Sequence, residues 1–363
     1  MGARLLISLF TVLVVGCGET NTQPQLERLV VKAVPNASVV AYLASFKSGV
    51  GAVAAIDDGK IVELFPTSSD TVLRRTAAGR GFFVIDRHGG AIYRHELAAT
   101  TLTREPIYRD RGANFQDVSE LGDGTFWVSA LNREAVVRVD ASGKVVDTVL
   151  LKDLAAPEAK GFAYPTYFWS NAGKTYLLVQ RLKDGVRPSD KSYVIELAPG
   201  VGIVCEPHPL AKTNPYPDWT PFGERCALVG ESGEIGAFSK LDGAIERFCP
   251  ADANPWTVVA TEEELKSDIY DFVVLSEKRL LCLSASPKNE IFVFDLRRRV
   301  AEKPIESLKG FRYVDLISDG GGNAYVADRD ETNAGIRKID VNARTLSPAL
   351  RTLLEPLSLL WMW

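Results

Sequence analysis

Histidine is scarce in this chain: His88, His95 and His208 are the only three in 363 residues, and no two stand at a metal-ligand spacing. There is no G-x-S-x-G nucleophile turn and no phosphate-cradling glycine loop, so two common catalytic signatures are missing. No excess of one charge exists either. Lys and Arg number 42 against 46 Asp and Glu, a net charge of −4, which gives no electrostatic footprint for nucleic acid. Beyond the first fifteen residues no apolar run approaches membrane-helix length, and long stretches of helical periodicity are lacking. What is present is ordinary globular material: 46% hydrophobic and 24% charged residues, enough for a large core.

The N-terminus is the sharpest local feature. Arg4 precedes an apolar run from Leu5 to Val15, short for a membrane span but suited to the apolar region of an export signal. The run ends in Val14-Val15-Gly16-Cys17. This resembles the bacterial lipobox, with Val14 where Leu is usual. The resemblance implies cleavage after residue 16, acylation of Cys17 and a lipid anchor in the cell envelope. A residue other than Asp after the cysteine implies the outer membrane. The plainer alternative is an ordinary secretory signal with an unrelated cysteine. Residues 17–28 would be the acylated cysteine and a polar tether, and 29–363 the folded domain.

Four cysteines remain: Cys205, Cys226, Cys249 and Cys282. Export would permit disulfides, and four thiols allow three pairings, among which the sequence does not choose. Buried, unpaired thiols are the simpler alternative.

The body of the chain is repetitive. Short β-rich runs alternate with Gly, Asp, Asn and Pro turns. The clearest unit covers residues 114–151. Asn114–Leu121, Thr125–Ala130, Ala135–Asp140 and Val145–Leu151 read as four strands, with tight turns at Gly122-Asp123-Gly124 and Ser142-Gly143. Five more units follow this order. The ends supply a seventh: Val39–Phe46, Gly51–Asp57 and Lys60–Phe65 lack a first strand, and Pro356–Trp363 is a first strand lacking the rest. Equivalent first-strand points fall near residues 70, 117, 165, 218, 271, 315 and 357, a spacing that suits propeller blades. The pattern predicts an all-β chain: a seven-bladed β-propeller of four-stranded antiparallel blades, closed by pairing the C-terminal strand with the N-terminal blade. A sheet with two apolar faces cannot bury both alone, but a ring of neighbours covers them. Trp127, Trp169, Trp219 and Trp361 lie in or beside these strands, where inter-blade packing is the expected role.

Tyr325-Val326-Ala327-Asp328 is similar to the aromatic-Val-x-Asn/Asp signature of YVTN-type seven-bladed propellers, found in bacterial surface antigens and lipoproteins. Trp127-Val128-Ser129-Ala130 and Tyr176-Leu177-Leu178-Val179 are weaker copies. Asn114-Phe115-Gln116-Asp117-Val118 resembles the family's Asn-Pro-Gln-Asp-Val opening, with Phe115 in place of Pro. The resemblance runs from about Val39 to the C-terminus and implies the fold more than any activity.

Two sets of residues are candidate sites. Asp117, Asp218, Asp271 and Asp315 occupy equivalent first-strand points, with Asp70 near a fifth. First strands line a propeller's channel, so these carboxylates could bind Ca or another divalent cation, or a basic partner. Alternatively each accepts local hydrogen bonds and fixes its strand. Tyr164, Tyr167, Tyr216 and Trp219, in two Pro- and aromatic-rich runs, could form a recognition surface for a peptide or sugar, or pack inside. Arg297-Arg298-Arg299 is expected in an exposed turn, and Glu262–Lys266 in a short helical turn between blades.

The leading functional expectation is a noncatalytic, lipid-anchored binding or scaffold module, without a cofactor, whose partners are the bilayer through Cys17 and an envelope protein, peptide or glycan. The alternative is a propeller hydrolase or lactonase-like enzyme using a central divalent cation.

Overall fold

The computed structural model describes residues 28–363 apart from positions 186, 217, 234–240, 286–287, 320–321 and 363. Cys17 and the segment expected to direct export lie outside the described residues.

Seven antiparallel sheets follow one another along the chain. Blade 2 pairs Thr71–Arg75, Gly81–Asp86, Ala91–Glu96 and Tyr108–Arg109. Blade 3 uses Phe115–Glu120, Phe126–Ala130, Ala135–Val139 and Val145–Leu150. Blade 5 uses Thr220–Phe222, Cys226–Glu231, Ala244–Phe248 and Trp256–Thr261. Blades 4, 6 and 7 begin with Pro165–Asn171, Ile269–Ser276 and Tyr313–Ser318, and each breaks its outermost strand into two short pieces. Arg28–Val30 adds a small pairing with Thr101–Thr103.

Blade 1 joins the two ends. Val39–Ser45, Val50–Asp57 and Lys60–Ser68 come from the start of the body, and Glu355–Trp361 from its finish. The closing register sets Ala41 opposite Leu359 and Tyr42 opposite Ser358. The predicted ring and its closure are therefore observed. Covalent continuity cannot hold the last blade to the first, so a ladder of backbone hydrogen bonds does so.

Period-two alternation explains the stacking. In Val39–Ser45 the residues Val40, Tyr42 and Ala44 pack with Leu73, Phe82 and Val84 of blade 2. Val39, Ala41 and Leu43 pack with Val314, Ala327 and Ile336 of blade 7. One strand thus feeds two inter-blade cores. Trp127 is fully buried with Phe168 and Leu177 across the blade 3–4 boundary, and Trp169 and Trp219 share the blade 4–5 core. The packing role expected of these rings is what they perform.

Two local expectations also hold. Glu262–Leu265 is a short helix closed by a capping box between Thr261 and Glu264. Arg298 pairs with Asp295 in a turn, and Arg299 with Glu264. Of the three open pairings, Cys226 bonds Cys249 within blade 5, leaving Cys205 exposed and Cys282 buried as free thiols.

Candidate functional site in the central channel

The first strands of successive blades lie against one another around the ring axis. Several carry a register shift at the same stage: between Phe115 and Asp117, Pro165 and Phe168, Ile269 and Asp271, and Tyr313 and Leu316. Such a bulge bends the strand and re-aims a side chain. Here it delivers Asp117, Tyr167, Asp271 and Asp315 from blades 3, 4, 6 and 7, while blade 5 supplies Asp218.

Most of these carboxylates are engaged with backbone. Asp117 accepts from the amide of Val118 at 2.7 Å and from Phe168 of blade 4 at 2.6 Å. Asp271 repeats the arrangement, accepting from Phe272 at 2.7 Å and from Leu316 of blade 7 at 2.6 Å. Asp315 accepts from Leu359 of blade 1. Each side chain clamps its own strand to the next blade. Asp218 accepts from its own neighbour Trp219 at 2.6 Å, and its second oxygen looks into the channel.

That second oxygen meets a cation. Arg74, from blade 2, bonds Asp117 through Nε, and its Nη2 lies 2.7 Å from Asp218. Its guanidinium also sits 5.0 Å from the ring centre of Tyr167. Beyond this group Tyr216 and Tyr270 pack with ring centres 5.5 Å apart. Asp271 and Asp315 act on each other's protonation.

Burial dominates the protonation of the group. It pushes Asp218 up to about 7 and Asp315 up to about 6. It holds Asp271 well above the usual carboxylate range, with Asp315 adding to the effect. Asp117 is raised by burial too, against the opposing pull of Arg74. Burial acts to lower Arg74, but Asp117 and Asp218 outweigh it and the guanidinium is held more firmly charged.

This donor set does not fit a resident divalent cation. Asp117 and Asp271 spend oxygens on amide N–H groups, and Arg74 already supplies the positive charge. Among the described residues no three His, Cys, Asp or Glu side chains converge as a metal group.

The structure brings Asp117, Asp218, Asp271 and Asp315 to one channel. Asp70 is a correction: it precedes the first strand of blade 2 and lies 3.4 Å from Arg87, and the channel residue of that blade is Arg74. Sequence reasoning missed Arg74 because it searched the repeat for a carboxylate. The strand TVLRR, ending one apolar-polar alternation later, held the signal. The four aromatic candidates separate. Tyr167 faces Arg74 and Tyr216 joins Tyr270, whereas Trp219 is buried 5.5 Å from Trp169. Tyr164 stands apart, half-buried next to Phe162 with φ of 58°.

No family model matches the chain, and no curated protein matches it. Solved structures do. A 6-phosphogluconolactonase-like protein from Bacteroides fragilis aligns over 92% of this chain and 100% of its own, with a TM-score of 0.60 and 12% identity. Apo AztD from Citrobacter koseri aligns over 89% and 97%, with a TM-score of 0.56 and 11% identity. Virginiamycin B lyase from Staphylococcus aureus aligns over 89% and 87%, with a TM-score of 0.51 and 10% identity. At such identities the likeness defines the class, a seven-bladed β-propeller, and goes no further than the fold.

Proposed function

We propose that this chain is a YVTN-type propeller lipoprotein, anchored through acylated Cys17 in the bacterial outer membrane, that binds an envelope protein, peptide or glycan without catalysing a reaction. The observation that carries the noncatalytic reading is the state of the channel. Its carboxylates clamp neighbouring blades or face Arg74, so none is presented as a free base or as part of a metal site. The Cys226–Cys249 bond supports export, because such bonds persist in oxidising compartments.

Two measurements test this reading. Fatty-acid labelling should mark the full chain and be abolished by Cys17→Ser; equal labelling of both would overturn the anchor. Cross-linking and capture from detergent-solubilised envelope should recover one reproducible partner, and repeated recovery of nothing above control would overturn the binding role. Elemental analysis addresses the hydrolase or lactonase-like alternative. A stoichiometric divalent cation, lost in Asp117→Ala and Asp271→Ala, would replace the binding reading with that one.

A further inference from the structure

Arg74 reaches three other blades from its own. Its backbone belongs to blade 2, its Nε bonds Asp117 of blade 3, its face covers Tyr167 of blade 4, and its Nη2 meets Asp218 of blade 5. The Nη2 contact at 2.7 Å is an ion pair. Asp117 is 1% exposed, while Asp218 keeps 34% of its side chain open to the channel.

The three partners demand one particular shape. A guanidinium is planar, carries donors in a fixed fork and stacks on aromatic faces. An ammonium is a compact point charge with no planar face to lay on a ring while it pairs with both carboxylates.

We infer that Asp117, Asp218 and Tyr167 form a guanidinium socket in the channel, and that Arg74 is its internal occupant. The site is therefore specific for alkylguanidinium ligands, including the arginine side chain of a peptide, whenever the internal group is withdrawn. The reading concerns the channel alone, so it stands or falls separately from anchoring and partner capture.

The test empties the socket. The full chain carrying Arg74→Ala is titrated with methylguanidinium at millimolar concentration, with methylammonium chloride at matched ionic strength as the control, and thermal unfolding and calorimetric binding are read. The expected result is saturable binding and a rise in melting temperature of several degrees with methylguanidinium only. The wild type, already filled, should show neither. Arg74→Ala/Asp218→Asn should lose at least tenfold in affinity. Equal responses to the two cations, or equal responses of wild type and Arg74→Ala, would overturn the socket. Should Arg74→Ala not fold alone, refolding with each cation decides the matter: recovery with methylguanidinium only supports the inference, and recovery with neither or both overturns it.

Discussion

The joint between blades 6 and 7 and the joint between blades 4 and 5 solve the same problem with different chemistry. At the first, Asp271 reaches across the boundary to the amide of Leu316 at 2.6 Å. At the second, aromatic rings hold the boundary. Trp169 stacks on Tyr176 at 5.4 Å and on Trp219 at 5.5 Å, Tyr176 meets Phe248 edge-on at 4.9 Å, and Phe248 stacks on Trp256 at 4.3 Å. The Trp219 indole also donates to the carbonyl of Tyr167 at 3.0 Å. Asp218, in blade 5, accepts from the amide of Trp219 in its own blade and turns its second oxygen to Arg74. Equivalent residues in a repeat thus take different work according to what the next blade offers. An aspartate that meets an amide across the next boundary clamps it, as Asp271 does, whereas Asp218 turns its second oxygen to the cation in the channel.

The harshest break is removal of the closing strand. Truncation after Leu354 strips Val39–Ser45 of one of its two partner strands and exposes the apolar faces of blades 7 and 1. The expected outcome is loss of the cooperative thermal transition and of the soluble monomer, read by circular dichroism and size exclusion. A retained cooperative melt would show that the ring does not depend on closure.

Trp219→Ala attacks the aromatic joint. A buried Trp lost from a core costs about 3–5 kcal/mol, measured by urea unfolding. Asp271→Ala attacks the clamped joint and leaves two amides without their acceptor, a cost of about 2–3 kcal/mol. Asp218→Ala removes one acceptor at a more open position and should cost about 1 kcal/mol. If Asp218→Ala proves as damaging as Asp271→Ala, the contrast between the clamping and the channel-facing aspartate fails.

The smallest expected effect is on pH dependence. Asp218 at about 7 and Asp315 at about 6 hold protons in the folded chain that the unfolded chain, titrating near 3.9, releases earlier. Their contribution to stability is fully present below about pH 4 and is lost as pH rises through about 6 and then about 7. Asp218→Asn should flatten the upper part of that decline, between about pH 5 and 8, in denaturation midpoints. An unchanged slope would place the titration elsewhere.

Much of this architecture was legible in the residues. Strand alternation, turn composition and the split seventh unit predicted both ring and closure, because burial of two-faced sheets leaves few other arrangements. The four aspartates were found because they recur at one stage of the repeat. Arg74 was not, because in sequence it breaks the repeat, and its significance depends on a partner in blade 5, 144 positions away at Asp218. The aromatic residues were found but not sorted, since Trp219 and Tyr216 occupy one run yet point to a packed core and to the channel wall respectively.

Sequence alone determined the secondary structure, the number of blades and the way the ends meet, since these follow from local propensity and from the period of hydrophobic burial. The tertiary structure alone decided which cysteines bond, which carboxylates clamp and which of them meet a cation. Those outcomes depend on distances between blades far apart in the chain, and a few ångströms separate an amide acceptor from an ion pair.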